Sequence, residues 1–304
     1  MHRTLSAAGA FWLAAFTYFI WGFTFLASRI AQDYGTPFVL LFWRFALAFV
    51  LLNLLRLTGR FPVRLHGRRL WPVLLAGLFE PVLYFPCEQY GLKLTSTSFS
   101  GVMVALIPLC SLVYGAVFLH EKATWRQVVF SVLSVAGVIV LAVYATGIGA
   151  GSFLGFLILL GTVFAGAGYI VACRACSGSF TAFERTYITC GMGAAAFGVL
   201  SVLEHRHGLS AVVLPMTHAP FALAIVFLSV VASVLSYLAL NRALEVLPVA
   251  RTAALINFST VVSVLAGVLL LHEPFGWVSA VASAAILVGI WGCLLYTSPS
   301  PRDS

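Results

Sequence analysis

The chain has 304 residues, 62% of them hydrophobic and 9% charged, with a mean hydropathy of +1.05. Soluble domains carry about a quarter of their residues as Asp, Glu, Lys and Arg, so these values exclude a soluble enzyme or binding module and indicate an integral membrane protein. The net charge of +8 comes from 15 Arg and 2 Lys placed mostly between apolar runs, which membrane topology explains better than a nucleic-acid partner does.

In chain order, Arg3 precedes an apolar run at 10–31 that is too long for a signal-peptide core and lacks a small-residue cleavage site, so it reads as an uncleaved first span. Runs of about 20 residues, each enough for about 30 Å of bilayer, follow. They lie at 37–57, 71–91, 98–119, 125–145, 152–173, 182–203, 219–240, 249–271 and 275–295. The expected fold is therefore all-α integral membrane with ten transmembrane helices, neighbours packing as antiparallel hairpins. With a cytosolic N-terminus, the inner segments hold twelve basic residues, five of them (Arg56, Arg60, Arg64, Arg68 and Arg69) around one loop, and the outer loops only Arg29, Lys93 and Arg206. This bias predicts a plasma (inner) membrane protein with both termini cytoplasmic.

Leu119-His120-Glu121 recurs as Leu271-His272-Glu273, an offset of 152 residues. The offset divides the chain into two five-helix repeats, 1–146 and 147–292. Because five is odd, the second repeat inserts upside down, so the expectation is two inverted-topology repeats with a shared interface near the midplane. Residues 293–304, beginning CLLYTSPSPRD, resemble a translated transposase sequencing adapter and are set aside as an artefact.

The candidate functional residues cluster in the first repeat, around the stretch 80–121. Glu80 and Glu88 fall where lipid-facing sequence has only hydrocarbon, and a carboxylate there costs roughly 2–4 kcal/mol. Pro81, Pro86 and Pro108 each remove a helix hydrogen bond, freeing the carbonyls of Gly77, Val82 and Val104, which is tolerable only beside another polar partner. Glu80, Tyr84 and Glu88 are four apart and form one stripe drifting about 80°. They are expected to serve in substrate or proton binding, or else Glu80 is a protonated structural group. Arg44 in the second span either pairs with a carboxylate or anchors a substrate carboxylate. Trp21, Tyr169, Tyr237 and Asn257 are candidate cavity-lining residues, and Gly161, Ala165 and Gly168 suit close helix contact. The His-Glu pairs lack the second His of a zinc site, since Thr124 and Gly276 stand there. They are read as helix caps or gating contacts, and neither a metal nor a cofactor is expected.

YFIWGFTF (Tyr18 to Phe25), Arg44 within LLFWRFALAF, GLKLTSTSFSGVMVALIPL (Gly91 to Leu109) and FLHEK (Phe118 to Lys122) resemble the EamA-type carriers of the drug/metabolite transporter superfamily, as does the weaker copy ALEVLPVARTAALINF with LLLHEPF. The likeness extends to about Trp291. It implies two inverted five-helix repeats passing small metabolites through a central cavity. The chain departs from the commonest pattern at Glu80-Pro81 and Glu88, and its second-half turn lacks the Thr-Ser run.

The expected function is secondary transport of small organic metabolites or drug-like solutes by alternating access, with export of amino acids or amines and proton coupling through Glu80 or Glu88 as the finer expectation. The partners are then a small-molecule substrate, protons and the lipid bilayer, with no nucleic acid. The competing classes are an intramembrane enzyme, for which no nucleophile and base share one depth, and a non-transporting membrane scaffold.

Overall fold

The computed structural model describes residues 5–94, 103–104, 106–121, 124–146, 153–206, 208–259, 261–262 and 276–295. The Thr-Ser turn at 95–98, the pair His272-Glu273 and the tail beyond 295 lie outside the described residues. Among the described residues all regular structure is helical.

Helices α1 (Ala7–Gly22) and α2 (Thr24–Gln32) form one apolar stretch interrupted at Phe23, and α3 (Pro37–Leu57) follows. Thr36 caps α3 with its side chain and Pro37 fills the first turn, where its missing N–H costs nothing. Next, α4 (Trp71–Gly77) passes through a π-helical segment (Leu78–Leu83) into α5 (Tyr84–Leu94). Then come α6 (Ile107–Leu119), α7 (Trp125–Thr146), α8 (Phe153–Cys176) and α9 (Ala182–Glu204). A capping box between Thr181 and Glu184 starts α9. The short α10 (Ser210–Val213) precedes α11 (Ala219–Val226), which runs through a second π-helical segment (Phe227–Leu235) into α12 (Ser236–Ala243). The last described helices are α13 (Val249–Ala254) and α14 (Trp277–Leu295).

Among the described residues, five stretches are long and apolar enough to cross a membrane: Ala7–Gln32, Pro37–Leu57, Phe153–Cys176, Ala182–Glu204 and Ala219–Ala243. Leu54, Val113, Val199 and Leu223 stand exposed, as lipid-facing positions should. One expectation needs correction. Pro108 sits in the first turn of α6, not in mid-helix, so it interrupts no bond of that helix.

The described helices pack in antiparallel pairs between segments far apart in sequence. Phe49, Phe45 and Phe42 of α3 lie against Gly191, Gly193 and Gly198 of α9, each ring filling the space a glycine leaves. Phe79, Cys87 and Gly91 meet Gly168, Gly161 and Leu159 of α8. In α1, Thr17 and Trp21 bond to the carbonyls of Ser236 and Ala232. Helices α7 and α14 come closest: a Cβ on Gly137 would lie 2.9 Å from the Ala282 carbonyl oxygen, and one on Gly289 2.7 Å from that of Phe130. These contacts are reciprocal under the 152-residue offset, which carries Phe130 onto Ala282 and Gly137 onto Gly289. The hydroxyl of Ser134 donates to the Ile286 carbonyl (3.4 Å), itself 152 residues away. Phe45 and Phe197, also 152 apart, touch each other with ring centroids 5.7 Å apart.

Candidate functional site

The site forms where two helices lose regular α-geometry. Proline clashes with a helical conformation in the residue before it, and Glu80 accordingly adopts extended backbone angles (φ −143°, ψ 118°) inside the segment Leu78–Leu83. The Glu80–Pro81 peptide is cis. The second segment, Phe227–Leu235, contains no proline; here Ser236 reaches back five residues to donate to the Val231 carbonyl (2.9 Å). Trp21 donates its indole N–H to Ala232 (2.9 Å) and Thr17 its hydroxyl to Ser236 (3.0 Å). Irregular backbone at membrane depth needs such partners, because lipid offers none. Adding 152 to Leu78–Leu83 gives 230–235, so the two irregular segments occupy corresponding positions.

Glu80 is 6% exposed and accepts a 2.5 Å hydrogen bond from the hydroxyl of Tyr237 on α12. Glu88 is 7% exposed and accepts from Tyr84 (3.2 Å) and from the Gln89 amide (3.3 Å). Gln89 in turn accepts from Gln32 of α2. The predicted stripe is thus regular only from Tyr84 to Glu88, since the extended conformation of Glu80 breaks it and turns that carboxylate toward α12.

Arg44, 4% exposed, donates from Nε to the Ser233 hydroxyl (2.9 Å) and stacks its guanidinium on Phe85 at 4.6 Å from the ring centre. Among the described residues no carboxylate lies within ion-pair distance of it, so the expected bidentate pairing is replaced by a serine and an aromatic face. Its charge still acts on both Glu80 and Glu88, placing one fixed cation among two carboxylates.

Trp21, Tyr169 and Tyr237 come together, with Trp21 and Tyr169 edge-on to Tyr237 at 5.5 and 5.8 Å. Tyr18 joins them edge-on to Trp21 at 5.4 Å. Asn257 does not share these contacts: its amide donates to Ser134 of α7 (2.9 Å). Gly161 and Gly168 meet Cys87 and Phe79, the close helix contact expected of them.

The amino-acid pattern matches the EamA-like transporter family twice, over residues 8–143 and 153–295. The chain belongs to the EamA-like transporter family. A transporter of Bacillus subtilis (strain 168), "Uncharacterized transporter YcxC", is 32% identical over 287 residues, spanning 92% of this chain and 91% of the relative. An "Uncharacterized transporter" of Archaeoglobus fulgidus is 26% identical over 290 residues, spanning 91% and 95%. A solved crystal structure superposes with a TM-score of 0.81 at 20% identity over 96% of this chain and 98% of that one, a likeness of fold.

In this EamA-like transporter, sequence reasoning missed Ser229, Ser233 and Asn241. With Tyr237 they recur every four residues from the second irregular segment into α12. That spacing was a usable signal. Ser229 is fully buried and its hydroxyl has no partner among the described residues. Asn241 donates to Tyr169 (3.3 Å) and Thr186 (3.1 Å). His120-Glu121 proves to be a helix-end device: His120 closes α6 with a left-handed φ of 55°, and Glu121 accepts from the Val249 N–H (3.0 Å) and pairs with Arg174 (3.5 Å).

Proposed function

We propose that this membrane transporter is a secondary carrier of small organic solutes, built as two inverted five-helix halves of ten spans that expose a midplane site alternately to each side. The observation that carries the proposal is the pair of irregular segments at corresponding positions, Leu78–Leu83 and Phe227–Leu235, with the Glu80 carboxylate bonded across them to Tyr237. Paired interruptions of this kind mark binding sites in inverted-repeat carriers. The antiparallel, reciprocal contacts of Gly137 with Ala282 and Gly289 with Phe130 support the inverted relation, since a two-fold axis makes every contact occur twice with roles exchanged.

The charges favour a cationic or zwitterionic solute. Glu80 is the receptor for an ammonium group or proton, and Arg44, with its guanidinium over Phe85 and only Nε engaged among the described residues, presents its remaining N–H donors to a substrate carboxylate. Trp21, Tyr18 and Tyr237 supply aromatic surface for the apolar part. Export of amino acids or amines against proton entry follows from a carboxylate that holds either a proton or the solute, but not both. Both termini lie in the cytoplasm on this reading, and the membrane is the plasma membrane.

The test is transport in proteoliposomes under an imposed pH gradient. Parent protein is expected to respond to the gradient, and Glu80→Gln, which keeps an oxygen for Tyr237 but cannot titrate, to carry solute at a rate independent of it. An unchanged pH response in the Glu80→Gln variant removes Glu80 from coupling. Arg44→Lys keeps the charge but not the planar fork, and should raise the KM for amino acids about tenfold while leaving that for simple amines unchanged.

A further inference from the structure

Outside the site, the largest unabsorbed feature is the segment between α3 and α4. It carries Arg56, Arg60, Arg64, Arg68 and Arg69 within fourteen positions, together with His66, all exposed. The segment is tied to the junction of α8 and α9 at several points. Glu184 of α9 accepts from the Arg64 backbone N–H (2.9 Å) and from Arg68 (3.1 Å), and Arg68 also donates to the Ser179 carbonyl (3.0 Å). Phe61 stacks on Phe183 at 5.0 Å, and Leu65 packs on Val73, Cys176 and Phe180.

Two of the five guanidinium groups are therefore engaged, Arg68 with Glu184 and Arg56 with Tyr187 (3.3 Å). Those of Arg60, Arg64 and Arg69 make no hydrogen bond or ion pair among the described residues. They project from a segment whose backbone is already fixed, so gathering an anion costs little further ordering. At the same end of the bundle stand Leu57 (82% exposed), Phe61 (40%) and Trp71 (64%). Large apolar and indole groups beside unpaired arginines suit the boundary between acyl chains and headgroups. Nucleic acid would leave that apolar rim in water.

We propose that residues 56–71 form a binding surface for anionic phospholipid headgroups. Arg60, Arg64 and Arg69 supply the phosphate contacts, and Leu57, Phe61 and Trp71 rest against the upper acyl chains. The surface is independent of which solute is carried and of how transport is coupled.

The test titrates the detergent-solubilised full chain with phosphatidylglycerol, phosphatidylcholine or sodium phosphate, counting retained lipid by native mass spectrometry and following thermal unfolding. Three arginines at an anionic headgroup should favour phosphatidylglycerol about tenfold or more, with the preference shrinking as salt rises. The variant Arg60→Gln/Arg64→Gln/Arg69→Gln is expected to lose the preference while keeping the lipid-free melting temperature, and the matching Lys variant to retain it. Undiminished retention by the Gln variant overturns the proposal. So does stabilisation by sodium phosphate equal to that by phosphatidylglycerol, or preference for an oligonucleotide.

Discussion

Charged groups in hydrocarbon are held by several modest contacts, and each contact is a separate target. Glu80 depends on the hydroxyl of Tyr237, and Arg44 on the hydroxyl of Ser233 and the face of Phe85. Tyr237→Phe removes one donor from a buried carboxylate and should cost about 1–2 kcal/mol in thermal unfolding in micelles, with transport falling in parallel. A variant as stable and active as the parent would show that Glu80 does not rely on Tyr237. Charges were legible in the sequence because nothing else in an apolar span resembles them. Their partners were not, since Ser233 and Tyr237 meet Arg44 and Glu80 only once the second irregular segment and α12 are packed against α3 and the first irregular segment. Asn257 shows the same limit: its polarity was visible, but the rotation of its helix sets it against Ser134.

Among elements, the closest approach is that of α7 and α14, where backbone meets backbone through Gly137 and Gly289. A methyl group at either position must displace a carbonyl rather than a flexible side chain. Gly137→Ala and Gly289→Ala should each destabilise by about 1–3 kcal/mol, and the double variant by less than the sum, because one separation of the helices relieves both clashes. Gly178→Ala, which meets nothing within 4 Å, is the control expected to leave the melting temperature unchanged. The apolar runs were readable as helices from length alone, yet their interruptions were only half readable. Pro81 announced the first through the restriction it places on Glu80. The second lies in a run of Val, Ala and Ser with no such marker, and arises from side-chain bonds to Val231 and Ala232.

For the molecule as a whole, the 152-residue offset shows an uneven division of labour. Arg44, Glu80 and Glu88 correspond to Ala196, Ala232 and Leu240, so the first half supplies the charges and the second the hydroxyls of Ser229, Ser233 and Tyr237. The halves are also tied by an ion pair away from the site, Arg174 of α8 with Glu121 beyond α6 (3.5 Å). Within the second half, Arg174 also bonds the Leu244 carbonyl (2.9 Å), and Arg185 bonds the carbonyls of Cys173 (2.7 Å) and Asn241 (2.5 Å) as well as Glu245 (3.0 Å). Glu121→Gln strands the charge of Arg174 and should cost about 2 kcal/mol, below the range for fully buried pairs because Glu121 keeps some exposure. Adding Arg174→Gln should recover part of that loss in the same unfolding assay.

By itself, the sequence determined the solvent in which the protein lives, the approximate positions of the five long apolar helices among the described residues, the internal repeat and the three charges that hydrocarbon cannot leave idle. These depend on composition and spacing, which are properties of the chain before it folds. Tertiary structure alone decided that Glu80 turns to Tyr237, that Arg44 rests on Ser233 and Phe85, and that Glu121 is spent on Arg174 and the start of α13. Such partners are set by how each helix is rotated and where its hydrogen bonding slips, and packing across sequence separations of more than a hundred residues fixes both.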